Sequence, residues 1–112
     1  MSGCIADLDT PALLIDLDAM EHNIQKMAAY YQGLGADLRP HMKTHKTPII
    51  THKQIEAGAI GVTCQKLGEA EIFARAGIRG ILISNQIVGP RKIARLVDLS
   101  KWADMAVGVE EL

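Results

Sequence analysis

The sequence predicts an α/β architecture, a parallel sheet covered by helices, on the scale of the first part of a (β/α)8 barrel. Three observations carry this. Short apolar runs alternate with stretches of helical periodicity in the order β-α-β-α-β-α-β-α-β, and strands that alternate with helices pair in parallel. The segment Ala57-Gly58-Ala59-Ile60-Gly61-Val62 is echoed as Ala76-Gly77-Ile78-Arg79-Gly80-Ile81, each copy a helix end, a glycine stop, a tight turn and a strand. The run Gly80-Ile81-Leu82-Ile83-Ser84 is apolar without alternation, as expected of a parallel strand buried on both faces. A complete barrel takes about 250 residues, so about four βα units in a 112-residue chain are expected to be an incomplete barrel with an open strand edge.

Taken in order, residues 12–16 (Ala-Leu-Leu-Ile-Asp) read as a short buried strand. Asp18 follows as an N-cap with Glu21 in the capping-box position. Met20, Ile24, Met27, Ala28 and Tyr31 recur at helical spacing and predict an amphipathic helix over 19–32, with methionines filling core and with Gly33 and Gly35 as its stop. Residues 37–45 read as a strand. Thr47-Pro48 starts a second helix, N-cap then proline at the first helical position, running to Ala57 and ended by Gly58. His22 and His52 fall on these helices as surface residues. Residues 60–64 are a strand and 67–76 a helix ended by Gly77. Residues 80–84 are a strand, Asn85–Gly89 a loop, 90–101 a helix begun by Pro90, and 104–109 the last strand.

Composition narrows the function classes. A net charge of −1 with a single Phe and a single Trp gives neither the basic excess nor the stacking aromatics of a nucleic-acid surface. No run of 18 apolar residues suggests a membrane span, and the N-terminus lacks the basic and apolar regions of a signal peptide. Cys4 and Cys64 make no disulfide framework, so free thiols and a cytoplasmic setting are expected.

The densest chemistry lies in Arg39-Pro40-His41-Met42-Lys43-Thr44-His45-Lys46. On an extended chain, Arg39, His41, Lys43 and His45 share one face, while Met42 and Thr44 take the other. A row of cations on a buried strand needs an anion, and a bound phosphate would serve. Crowded cations also favour an uncharged lysine, the form that imine chemistry requires. Two plainer readings stand beside this one: an exposed loop of solvated charges, or a His41/His45 metal pair, which Pro40 and the lack of a completing Cys or acid disfavour.

The ordered set Asp9-Thr10-Pro11-Ala12, Ile15-Asp16, Asn23-Ile24, Leu38 through Lys46 and Leu67-Gly68-Glu69-Ala70-Glu71 resembles the D-threonine aldolase and D-serine dehydratase family, within the alanine-racemase-type (fold type III) pyridoxal-phosphate enzymes. The resemblance implies a barrel of the alanine racemase N-terminal domain type. Residues 18–112 would form its first half, and residues 1–17 a strand segment packing on a C-terminal β-domain outside this chain. It implies Lys43 as the catalytic residue, holding pyridoxal 5'-phosphate as a Schiff base at the C-terminal end of the first barrel strand. Lys46 is the competitor, facing the other way on a regular strand. His41, Arg39 and His45 are the further cofactor-binding candidates. No metal ligand is expected in this chain, because the divalent metal goes with the later region. The implied function is a pyridoxal-phosphate-dependent lyase acting on small D-β-hydroxy amino acids, a homodimer without nucleic-acid or membrane partners. These 112 residues alone are expected to bind the cofactor weakly and to be inactive. A non-catalytic pyridoxal-phosphate-binding barrel and an amino-acid racemase of the same fold stay open as alternatives.

Overall fold

Residues 3–110 are described by a computed structural model of the chain. Four helices, α1 (Leu17–Tyr31), α2 (Pro48–Glu56), α3 (Leu67–Arg75) and α4 (Pro90–Leu99), alternate with three strands, β1 (Val62–Cys64), β2 (Gly80–Ile83) and β3 (Asp104–Val107). The strands run parallel in the order β1-β2-β3, with Val62 level with Ile81 and Ile81 level with Met105. The predicted parallel pairing of 60–64 with 80–84 is therefore present, with shorter strands. The chain before β1 adds a fourth, minimal strand: His41 forms a parallel bridge with Thr63, Thr63 N–H donates to Pro40 O and Met42 N–H to Thr63 O, both at 2.8 Å.

Level residues of parallel strands point the same way. Met42, Val62, Cys64, Ile81 and Ile83 face the helices and join Leu67, Phe73, Ile78 and Leu99 in one core. Full burial of a side chain such as Phe73 contributes about 1.5–3 kcal/mol. The opposite face, with His41, Thr63, Leu82 and Ala106 in one row, is only partly covered among the described residues. Burial of β2 on both faces, expected from its unbroken apolar run, is thus complete only on the helix side.

The sequence echo is a structural repeat. Gly58 and Gly77 both adopt positive φ, 115° and 87°, directly after α2 and α3. The following residues bond back in the same way, Ala59 N–H to Gln54 O and Ile78 N–H to Phe73 O. Only glycine takes that backbone without strain, which is why the same dipeptide ends both helices.

Four expectations need correction. Residues 12–16 form no strand and are exposed, Leu13 at 95%, because no partner strand lies beside them among the described residues. Asp16 rather than Asp18 caps α1: its carboxylate accepts from Ala19 N–H at 2.9 Å, so the helix begins two residues earlier. The stripe on α1 is not core. Met20, Ile24, Ala28 and Tyr31 are half-buried and Met27 is exposed, since α1 touches little beyond α2. Thr47 and Pro48 do start α2, but the Thr47 hydroxyl donates to His45 O at 2.6 Å instead of capping.

Candidate functional site

The predicted strand over 37–45 stops at Met42. Met42 is fully buried, and the Thr51 hydroxyl reaches its sulfur at 2.8 Å. Beyond that anchor the chain turns, closed by Lys46 N–H donating to Met42 O at 2.9 Å. Lys46 sits at φ 49°, the one residue other than glycine with positive φ among the described residues. A continued strand would have to replace this closing bond with a lengthened ladder, and β1 has already given way to the α3 start at Gln65 and Lys66. The alternation drawn from the sequence therefore holds for Arg39, His41 and Met42 and fails from Lys43 onward.

The turn lies past the bridge to Thr63, at the C-terminal ends of the parallel strands. There the loops after β1 and β2 are joined by Asn85 Nδ2 donating to Gln65 O at 2.8 Å. Lys43 is exposed on the turn, and its amine takes part in no ion pair among the described residues. Lys46 is differently placed: its Nζ lies 3.5 Å from Glu69 Oε1. Glu69 is buried in the first turn of α3, and its second oxygen accepts from Gln65 N–H at 2.8 Å. The two lysines are thus separated by environment, one with an unengaged amine and one paired to a buried carboxylate.

The two histidines are set alike. His41 Nδ1 accepts from Lys43 N–H at 3.2 Å, and His45 Nδ1 accepts from Thr47 N–H at 3.0 Å. Both rings therefore carry their proton on Nε2 when neutral. Both Nε2 atoms are buried with no hydrogen-bond partner, and so is Oε1 of Gln54. Burial holds the His45 imidazole below its ordinary pKa, opposed by the neighbouring Gln54 amide and Thr47. Arg39 lies two residues before the bridge, at the other end of the strands. Its Nη1 donates to Gly80 O at 3.1 Å across Gly61. The structure therefore brings His41, Lys43 and His45 into one turn and places Arg39 apart from them.

Glu69 was missed as a site residue in the sequence, where it served only as part of a motif. A glutamate three residues after the last non-helical residue, Lys66, is the available signal. Cys64, near the same strand ends, is fully buried. Burial, with the Glu69 charge, pushes its thiol up to about 12. Among the described residues no cluster of three or more His, Cys, Asp or Glu side chains could hold a metal ion.

An exposed amine beside buried imidazole N–H donors, His41 without a partner and His45 next to the Gln54 amide, fits a carbonyl cofactor bearing anionic groups. The amine can form an imine, and the donors can satisfy oxygen acceptors.

Comparison with known proteins gives the same direction. The alanine racemase N-terminal domain family matches residues 15–111. D-threonine aldolase of an Arthrobacter species is 44% identical over 106 residues, covering 95% of this chain and 28% of that protein. D-threo-3-hydroxyaspartate dehydratase of Delftia sp. (strain HT23) is 39% identical over 101 residues, covering 90% of this chain and 26% of that protein. Among solved structures, the D-threonine aldolase of Filomicrobium marinum superposes with a TM-score of 0.93 at 50% identity, covering 96% of this chain and 29% of that one. The chain thus spans somewhat over a quarter of the length of these relatives, as the first part of a barrel does.

Proposed function

The chain belongs to the alanine racemase N-terminal domain family, and from that premise we propose that it supplies the cofactor-carrying lysine of a pyridoxal-phosphate-dependent lyase for D-β-hydroxy amino acids. The observation that carries the reading is the contrast between the two lysines of one turn. Lys43 offers an exposed amine at the C-terminal ends of the strands, where barrel active sites lie, while Lys46 is engaged by Glu69.

In this reading Lys43 would hold the cofactor through its amine, and the same amine, when free, could take or return a proton. His41 and His45 present Nε2–H donors from fixed rings, with tautomers set by Lys43 N–H and Thr47 N–H. Arg39 donates to Gly80 O at the other end of the strands, apart from Lys43. Pyridoxal phosphate, when bound, supplies an electron sink for bond breaking at the substrate's α-carbon. Two outcomes suit such a substrate: retro-aldol cleavage to glycine and an aldehyde, or loss of the α-proton and β-hydroxyl to give a keto acid and ammonia. The divalent metal and the phosphate grip are assigned to residues outside this chain. The exposed run Leu13, Leu14 and Ile15 supports a second domain that covers it, which a lone cofactor-binding barrel would not need. A cytoplasmic homodimer completes the proposal.

The test uses the complete protein with pyridoxal phosphate. Borohydride reduction followed by peptide mapping is expected to find the cofactor on Lys43, and Lys43→Ala to abolish the absorbance of the attached cofactor. D-threonine and D-serine turnover then separates aldol cleavage from dehydration. Attachment at Lys46, or no turnover of either amino acid by the loaded protein, would overturn the reading.

A further inference from the structure

The turn that carries Lys43 is held at both ends. At its start Met42 is buried in the core and His41 is bridged to Thr63. At its end stands Lys46, whose φ of 49° is unfavourable for a residue with a side chain. Such a conformation persists where its surroundings over-determine it. Two contacts do so: Lys46 N–H to Met42 O at 2.9 Å and Lys46 Nζ to Glu69 at 3.5 Å. Glu69 is in turn immobilised, 7% exposed, with Gln65 N–H on its other oxygen at 2.8 Å. It stands in the first turn of α3, next to the loop after β1.

We propose that Lys46 and Glu69 form a positioning pair that fixes the direction of the Lys43 amine, a role that rests on Lys43 being the covalent holder of the cofactor. The pair couples two neighbouring loops, the one after the His41 bridge and the one after β1, so that the amine is presented from a closed turn. Its effect on overall stability is small by construction. The Lys46 side chain is 58% exposed, and an ion pair with one exposed partner adds little to folding. Its effect on the turn is larger, because the other bonds around Lys46, its N–H to Met42 O and the two from Thr47 to His45, lie within the turn, and the Glu69 contact is the one that ties the strained residue to the neighbouring loop. A structural role and a positioning role therefore separate experimentally.

The complete protein loaded with pyridoxal phosphate is compared with Lys46→Met, Glu69→Gln, the double variant and Lys46→Arg. Glu69→Gln keeps an acceptor for Gln65 N–H while removing the charge. Melting temperature, the rate of cofactor loss on dilution, and the pH midpoint of the bound-cofactor absorbance are measured. Lys46→Met and Glu69→Gln are each expected to lose cofactor about tenfold faster and to move the pH midpoint, with little change in melting temperature, and the double variant to be no worse than either single one. Lys46→Arg, which restores the ion pair, is expected to recover both properties. Unchanged release and midpoint in folded Lys46→Met and Glu69→Gln would overturn the positioning role while leaving Lys43 as the attachment point. Mapping of the cofactor to Lys46 in the unaltered protein would instead remove the premise, and the two failures are distinguishable by the same peptide map.

Discussion

Gly61→Ala is expected to be among the most damaging small substitutions in the chain. Gly61 and Gly80 face each other where β1 and β2 begin, and the Arg39 side chain crosses over Gly61. A Cβ on Gly61 would lie 2.1 Å from Gly80 O, 2.5 Å from Arg39 Nη1 and 2.9 Å from Gly80 C. Ordinary contact is about 3.5–4.0 Å, so the strands must part by about 1 Å or more at a place where backbone, not a flexible side chain, is in the way. Overpacking of this kind costs about 1–3 kcal/mol, and losing the Arg39 bond to Gly80 O adds about 1.5–3, giving about 2.5–6 kcal/mol together. That is a large share of the roughly 5–15 kcal/mol that holds a domain folded. The assay is urea denaturation of the complete protein and of Gly61→Ala, Arg39→Ala and the double variant. Arg39→Ala alone is expected to cost about 1.5–3 kcal/mol and not to rescue Gly61→Ala, because the nearest obstacle is the Gly80 carbonyl. A Gly61→Ala protein within about 1 kcal/mol of the parent would refute the reasoning, as would full rescue by Arg39→Ala.

Three further outcomes follow from the same structure. Cys4 is exposed while burial pushes the Cys64 thiol up to about 12, so a thiol reagent at pH 8 should label Cys4 and leave Cys64 until urea is added. The His45 pKa is held below its ordinary 6.5 in the folded chain, so the unfolded chain binds the extra proton first; stability should be full above pH 6.5 and fall as pH drops below it, and His45→Gln should flatten that slope in urea midpoints taken at pH 7.5 and 5.5. Met42→Ala removes the buried anchor of the turn and should lower stability by about 2–5 kcal/mol, with faster proteolytic cleavage within 43–47 as the local readout.

What the sequence displayed best was local. Pro48 and Pro90 at helix starts, and Gly58 and Gly77 at helix ends, act within a turn of themselves, and each stands where its chemistry puts it. The parallel order followed from the alternation those signals define. The turn at 42–46 was not legible, because its cause lies elsewhere in the chain. Met42 is claimed by a core built from β1, β2 and α3, and Lys46 is held in positive φ by Glu69, 23 positions later. The run at 12–16 misled for the complementary reason. Its apolar residues announce burial but not the surface that provides it, and within the described residues they are exposed. The candidate lysine was readable through the motif resemblance; the ground for setting it apart from Lys46, opposite faces of a regular strand, fails because the strand ends at Met42, and the difference between the two lies instead in the Glu69 contact.

The cationic density between Arg39 and Lys46 is not one patch. Arg39 points its guanidinium at a backbone carbonyl at the start of the strands, Lys46 meets a buried carboxylate beside α3, and Lys43 between them is exposed without an ion-pair partner among the described residues. Met42 is the pivot that makes this division possible. By entering the core it ends the strand, so that residues before it belong to the sheet and residues after it belong to the rim. The anion that the sequence reading demanded for a buried row of cations is therefore needed for fewer groups than the row contains. Arg39 and Lys46 each already meet an acceptor within the protein, Gly80 O and Glu69. What is left over is an amine and two imidazole N–H donors without partners, gathered in one turn at the end of the sheet where a barrel performs chemistry. The Lys43 amine and the His41 and His45 donors thus stand on both sides of the buried Met42, His41 at the end of the sheet and Lys43 and His45 in the turn beyond it.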